Sequence, residues 1–120
     1  MWGRFILLFA LSGCSSGVER TAVPGSYEFA LDGFRQVLVI GEDGRYTNTL
    51  YKDGAAVWSD QEAWVYENEM GGVTLSGFRF GIPEYTSRPR GLWFVVPSKT
   101  LSGTKQLCFD DDLGRCFSST

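Results

Sequence analysis

The sequence predicts an all-β fold: a single small antiparallel meander of about eight strands, rolled into a closed or nearly closed, lipocalin-like barrel. Three observations carry this expectation. Apolar and polar residues alternate with a period of two along short segments. Tight turn signals such as Asp32-Gly33 and Gly41-Glu42-Asp43-Gly44 separate those segments. No stretch of the domain carries helical periodicity.

Taken in order, Tyr27, Phe29 and Leu31 alternate with Ser26, Glu28 and Ala30, as in a half-buried strand. Asp32-Gly33 suits a two-residue hairpin turn with positive φ. Phe34 to Ile40 is the second strand, apolar on both faces in its later section, as a central strand would be. Gly41 to Gly44 turns the chain, and Arg45 to Tyr51 returns, rich in β-branched and aromatic residues. Lys52-Asp53-Gly54 leads into one long strand from Val57 to Tyr66, with a bulge expected around Ser59-Asp60. Glu67 to Gly72 is a polar loop, and Val73-Thr74-Leu75 a short strand. Phe78 to Arg90 breaks the rhythm, being too long and irregular for a hairpin turn. Gly91 to Val96 is a strand closed by Pro97-Ser98. Thr104 to Phe109 and Arg115 to Ser118 form the last hairpin around the turn at Asp110 to Gly114. A meander of this kind must hide its edges, and barrel closure does so.

The N-terminus carries a different signal. Arg4 and the α-amino group precede the apolar run Phe5 to Leu11, and small residues follow, in the pattern of a secretory signal peptide. The run is far short of the ~20 residues that cross a bilayer as a helix. Leu11-Ser12-Gly13-Cys14 resembles the bacterial lipobox. The resemblance implies cleavage before Cys14, a diacylglyceryl thioether on its sulfur and, usually, an acyl group on the new α-amine. Acyl chains contribute about 0.8 kcal/mol per buried methylene, so two or three of them anchor a protein almost permanently. Residues 1–13 then form the signal peptide, 14–24 a lipidated tether and 25–120 the barrel-like domain. Ser15 to Pro24 is polar and ends at a proline; ten such residues span about 17 Å when flexible. Ser15 after the cysteine resembles outer-membrane sorting in diderm bacteria, which would place the protein on the periplasmic face of that membrane.

Removing residues 1–13 from the 120 leaves 107, enough for one domain of common size. Loss of Arg4 takes the formal charge from −3 to −4. A mildly acidic chain without a basic run lacks the electrostatic footprint of nucleic-acid binding, and lacks a polybasic patch for anionic lipid. Histidine is absent, which excludes Ser-His-Asp and Cys-His nucleophile activation and every histidine metal site. With Cys14 lipidated in an exported protein, Cys108 and Cys116 remain as an even pair in an oxidising compartment and are expected to form a structural disulfide across the final hairpin. Their spacing is not that of a Cys-x-x-Cys redox motif.

Gly25-x-Tyr27, Leu38-x-Ile40-x-x-Asp43-Gly44-x-Tyr46, the Trp-bearing strand around Trp64 and Val73-Thr74-Leu75 are similar to the pattern of small lipocalin-like bacterial lipoproteins. The pattern departs at Glu62, where that family carries glycine two residues before the tryptophan. The resemblance implies the fold and says little about function.

Four groups of residues bear on function. The Phe78–Arg90 segment is the first, with Phe78, Arg79, Tyr85, Arg88 and Arg90 as a candidate binding loop, because long loops in compact domains are often binding elements and Arg with Tyr is a common interface pairing. The competing reading makes the loop a plug over one barrel end. Trp58, Trp64, Trp93, Tyr27, Tyr46 and Phe94 either line a cavity for a small apolar ligand or fill the core. Asp110, Asp111 and Asp112 are ordinary turn formers that lack the ligand pattern of a calcium loop. Among Glu28, Glu42, Asp60, Glu62 and Glu84, nothing selects two as a glycosidase pair. The expectation is therefore a non-enzymatic, lipid-anchored binding module with no cofactor and no metal, whose partners are the membrane and an envelope component.

Overall fold

A computed structural model of the chain describes residues 18–86, 89–110 and 112–120. The signal peptide, the lipobox with Cys14, Ser15, Arg88 and Asp111 lie outside the described residues.

The fold is a single antiparallel sheet of nine strands, curled strongly into a half-barrel. The strands are β1 (Gly25–Leu31), β2 (Phe34–Ile40), β3 (Arg45–Lys52), β4 (Ala55–Glu67), β5 (Gly72–Phe78), β6 (Gly91–Val95), β7 (Ser98–Lys99), β8 (Lys105–Asp110) and β9 (Arg115–Ser119). Their order across the sheet is β6-β5-β4-β3-β2-β1-β9-β8-β7. The turn chemistry sets the first hairpins. Asp32 and Gly33 have φ of 53° and 85°, and Asp53 and Gly54 have 48° and 88°. Two successive positive-φ residues match the right-handed twist of the strands they join.

The edges of the sheet, β6 and β7, are successive segments of one bent strand. Only Val96 and Pro97 separate them, and both run in the same direction along the barrel. The first segment pairs with β5 and the second with β8. The change of partner falls at Pro97, which has no N–H to give to a ladder. The two ends of the curled sheet are thus successive stretches of one chain segment. Counting that bent strand once restores the eightfold meander expected from the sequence, the ninth element being the two-residue β7.

Inward positions follow the period of two. Gln36, Leu38 and Ile40 of β2 are buried, as are Tyr46, Asn48 and Leu50 of β3. Val39 is 45% exposed, so β2 is not covered on both faces as its composition suggested. The half-barrel has no outer layer, and a strand central in the sheet still shows one face to water. The irregularity in β4 also lies elsewhere than expected. Leu50 pairs with Trp58 and Tyr51 with Ala56, leaving Val57 as the extra residue rather than Ser59 or Asp60.

The core is built from rings. Phe78 stacks on Trp93 at 4.6 Å and meets Phe80 edge-on at 4.8 Å. Phe109 meets Phe29, Phe80 and Tyr85, each at about 5 Å between ring centroids. Tyr27, Tyr46, Trp64 and Phe117 complete the filling. Of the six aromatic side chains expected to line a cavity or fill the core, Phe94 points outward, 41% exposed, and Trp58 lines an open cleft.

Residues 18–24, read from composition as tether, are docked on the barrel. Val18 and Val23 are buried, and a short 3₁₀ turn, Arg20–Ala22, joins them. Tyr66 donates to the Val18 carbonyl at 3.1 Å and Tyr27 to that of Val23 at 2.5 Å. The Lys105 ammonium donates to the carbonyls of Ala22 and Pro24. This strap closes the end of the barrel that holds Gly25, the Gly41–Gly44 turn and Trp64. Cys108 and Cys116 are direct cross-strand partners in β8 and β9 and form a disulfide.

Candidate functional site

The site is built on β4. Alternation carries Trp58, Asp60, Glu62, Trp64 and Tyr66 to the inner side of that strand, so two carboxylates sit among tryptophans where an apolar strand would place only hydrophobic residues. Burying a carboxylate is costly unless it is paired and hydrogen-bonded. The irregular segment after β5 supplies the partners.

Arg79 grips Asp60 with both prongs of its guanidinium, Nε donating at 2.7 Å and Nη2 at 2.9 Å. This bidentate geometry is the strongest and most directional form of ion pair. The same guanidinium lies 3.8 Å above the Trp58 ring, a cation–π contact that fixes its plane. Arg90 donates from Nε to the Gly77 carbonyl at 3.0 Å and from Nη2 to Glu62 at 3.1 Å, and approaches Asp60 at 3.5 Å. Asp60 is nearly enclosed, 11% exposed, while Arg79 and Arg90 keep 34% and 45% of their side chains in water. The phenol of Tyr46 lies near this cluster and donates to the Ser76 carbonyl at 2.6 Å. Burial holds its pKa far above the usual range, and the charges of Glu62 and Asp60 push in the same direction, so Tyr46 remains a neutral donor.

A buried amide pair holds the loop in place. Gln36 donates to Asn48 at 2.7 Å and to the Arg79 carbonyl at 3.0 Å, and accepts from the Gly81 N–H at 2.9 Å. Asn48 donates to the same Arg79 carbonyl at 3.0 Å. Gly81 has no substitute here: a Cβ would sit 2.7 Å from Trp58 Cζ2 and 2.9 Å from a Leu50 methyl. The backbone from Arg79 to Gly81 is thus clamped to the inner wall, and the 3₁₀ turn Pro83–Tyr85 follows with Ile82 and Tyr85 buried. Beside it lies an open cleft of about 310 Å³, lined by Trp58, Arg79, Phe80, Gly81, Thr86 and Arg90.

Of the five residues expected in the binding loop, Arg79 and Arg90 come together on the cleft. Phe78 and Tyr85 face the core, at 2% and 5% exposure. The fifth, Arg88, lies outside the described residues. Composition did not single out Trp58, Asp60 and Glu62 as partners of the arginines, or Gln36 and Asn48 as the clamp. Their signal was the inward parity of acids and amides on strands that otherwise bury apolar groups. Asp110 caps its own turn by accepting from Leu113 N–H at 3.3 Å and receives a hydrogen bond from Tyr85 at 3.2 Å.

No protein-family model, no curated protein and no solved structure matches this chain.

Proposed function

We propose that the chain is a lipid-anchored, non-enzymatic binding domain of a bacterial envelope, which holds an envelope component at the Arg79–Arg90 cleft. One observation carries the binding reading: two half-exposed arginines border an open cleft and are held in fixed geometry by Asp60, Glu62 and the clamped loop. Preorganised polar groups beside aromatic surface are what a small recognition site needs. Two observations favour binding over the alternatives. Asp60 and Glu62, the carboxylates behind the cleft arginines, are both ion-paired to them, an arrangement that serves structure and recognition better than proton transfer. The barrel interior is filled by aromatic rings, which favours a surface site over a carrier's cavity. The anchor rests on the lipobox resemblance at Leu11–Cys14, and the small-lipoprotein resemblance agrees with it.

The test is photo-crosslinking in the native envelope from Thr86, which borders the cleft, with exposed Gln61 on the outer wall as control. A discrete adduct at Thr86 that is absent at Gln61 and lost in Arg90→Ala supports the reading. Identical adduct patterns at both positions overturn it. Separately, Cys14→Ser should move the protein to the soluble fraction; retention in the membrane refutes the anchor.

A further inference from the structure

We infer that one side of the half-barrel is a lipid-contact face, formed by the outer surfaces of β4 to β6 and the two turn tips beside the N-terminal strap. The inference rests on the lipid anchor proposed above and adds to it an orientation.

Among the described residues nine large apolar side chains are exposed, and five of them, Val65, Met70, Phe94, Val96 and Leu101, belong to this side, at 54%, 60%, 41%, 51% and 109% exposure; Val57 and Leu92 lie farther along β4 and β6, Val39 on β2 and Leu113 on the β8–β9 turn. Val65 pairs with Thr74 and Thr74 with Phe94, so Val65 and Phe94 stand in one row across the outer wall, about 10 Å from end to end. Val96 follows two residues after Phe94, just past the end of β6. Met70 occupies the tip of the β4–β5 turn and Leu101 that of the β7–β8 turn. Both tips lie at the strapped end of the barrel. Turns normally carry polar residues; a third apolar tip, Leu113, stands at the opposite end, so the strap rather than the tips alone selects this end.

The strap identifies what covers the face. Val18 docks on Tyr66, the neighbour of Val65, and Lys105 holds Ala22 and Pro24 beside the β7–β8 turn. The docked chain therefore runs from Tyr66 to Lys105 along the end that also carries the two apolar tips. From Val18 to Cys14 there are four peptide steps, which span at most about 14 Å. An acyl-bearing Cys14 then lies within about 14 Å of Val18, which holds the bilayer near the strapped end that carries Met70 and Leu101. A single anchor with so short a leash holds the nearest surface of the domain against the headgroups, where isolated apolar side chains partition favourably. The Asp32-Gly33 and Asp53-Gly54 turns and the Arg79–Arg90 cleft lie toward the opposite end, so contact through this face leaves the cleft open on the side away from the membrane.

The experiment uses the full lipidated protein in phosphatidylcholine vesicles, with and without brominated acyl chains. Tryptophan is introduced as Leu101→Trp and, at the opposite end, Leu113→Trp; both sites are exposed, so folding is preserved. After subtraction of wild-type emission, bromolipid should quench the tryptophan at 101 about twofold or more and leave that at 113 unchanged. Equal quenching, or stronger quenching at 113, overturns the face. A concentration-dependent dimer of the Cys14→Ser protein that Phe94→Glu abolishes overturns it too, because the face then belongs to a second copy. Failure of the wild-type protein to float with vesicles refutes the anchor itself, a result distinct from either quenching outcome.

Discussion

Replacing Gln36 by Leu tests whether the amide clamp holds the cleft loop. Gln36 is 1% exposed and makes three hydrogen bonds, to Asn48, to the Arg79 carbonyl and from the Gly81 N–H. Leucine fills nearly the same volume, so the cavity contribution is small. It strands two buried groups: the Asn48 side-chain oxygen and the Gly81 N–H. The Arg79 carbonyl keeps its bond from Asn48. Each stranded group costs about 1–3 kcal/mol, and added apolar burial returns part of that, so the net loss should be about 2–4 kcal/mol. For a domain of this size the melting temperature should fall by roughly 10–25 °C. Asn48→Leu provides the comparison. It leaves the Gln36 amide bonded to Arg79 and Gly81, and should cost less than Gln36→Leu by about 1–3 kcal/mol. Urea unfolding of both variants measures the difference, and hydrogen exchange at the Gly81 amide localises it, exchange being faster only in Gln36→Leu. Equal costs for the two variants, or an unchanged Gly81 exchange rate, would refute the clamp.

Other consequences follow from the same contacts. Reducing the Cys108–Cys116 disulfide frees a loop closed at a sequence separation of 8 and should cost roughly 2.5 kcal/mol, read as a lower urea midpoint in dithiothreitol. Asp60 has two arginine neighbours, so Arg90 shields it when Arg79 is lost; Arg79→Ala with Arg90→Ala together should destabilise by more than the sum of the single variants, measured in a double-mutant cycle. The pKa of Tyr27 is raised by burial from 10.0 to about 12, so its contribution to stability is intact below pH 10 and is lost as pH rises from 10 toward 12. The loss approaches about 2–3 kcal/mol; melting temperatures recorded from pH 8 to 11 should fall only above pH 10, and less steeply in Tyr27→Phe.

The strands were legible because local chemistry and global fold agree there. Asp32-Gly33 and Asp53-Gly54 need positive φ at both residues, which fixes two hairpins and with them the register of β1 to β4. The Cys108–Cys116 contact follows from the register of the last hairpin. What composition hid is long-range. A polar segment such as Val18 to Pro24 looks like free tether until Tyr66 and Lys105, far along the chain, claim its carbonyls. The cleft was half visible: Arg79 and Arg90 stand out in an irregular loop, but their partners Asp60 and Glu62 look like solvated charges unless the parity of β4 is followed through the extra residue at Val57. The bent strand at Pro97 makes the same point. Its proline reads as a stop, and locally it is one, since no ladder runs through it. In the folded chain that stop is where the strand leaves β5 for β8, and the barrel that shapes the cleft depends on the exchange.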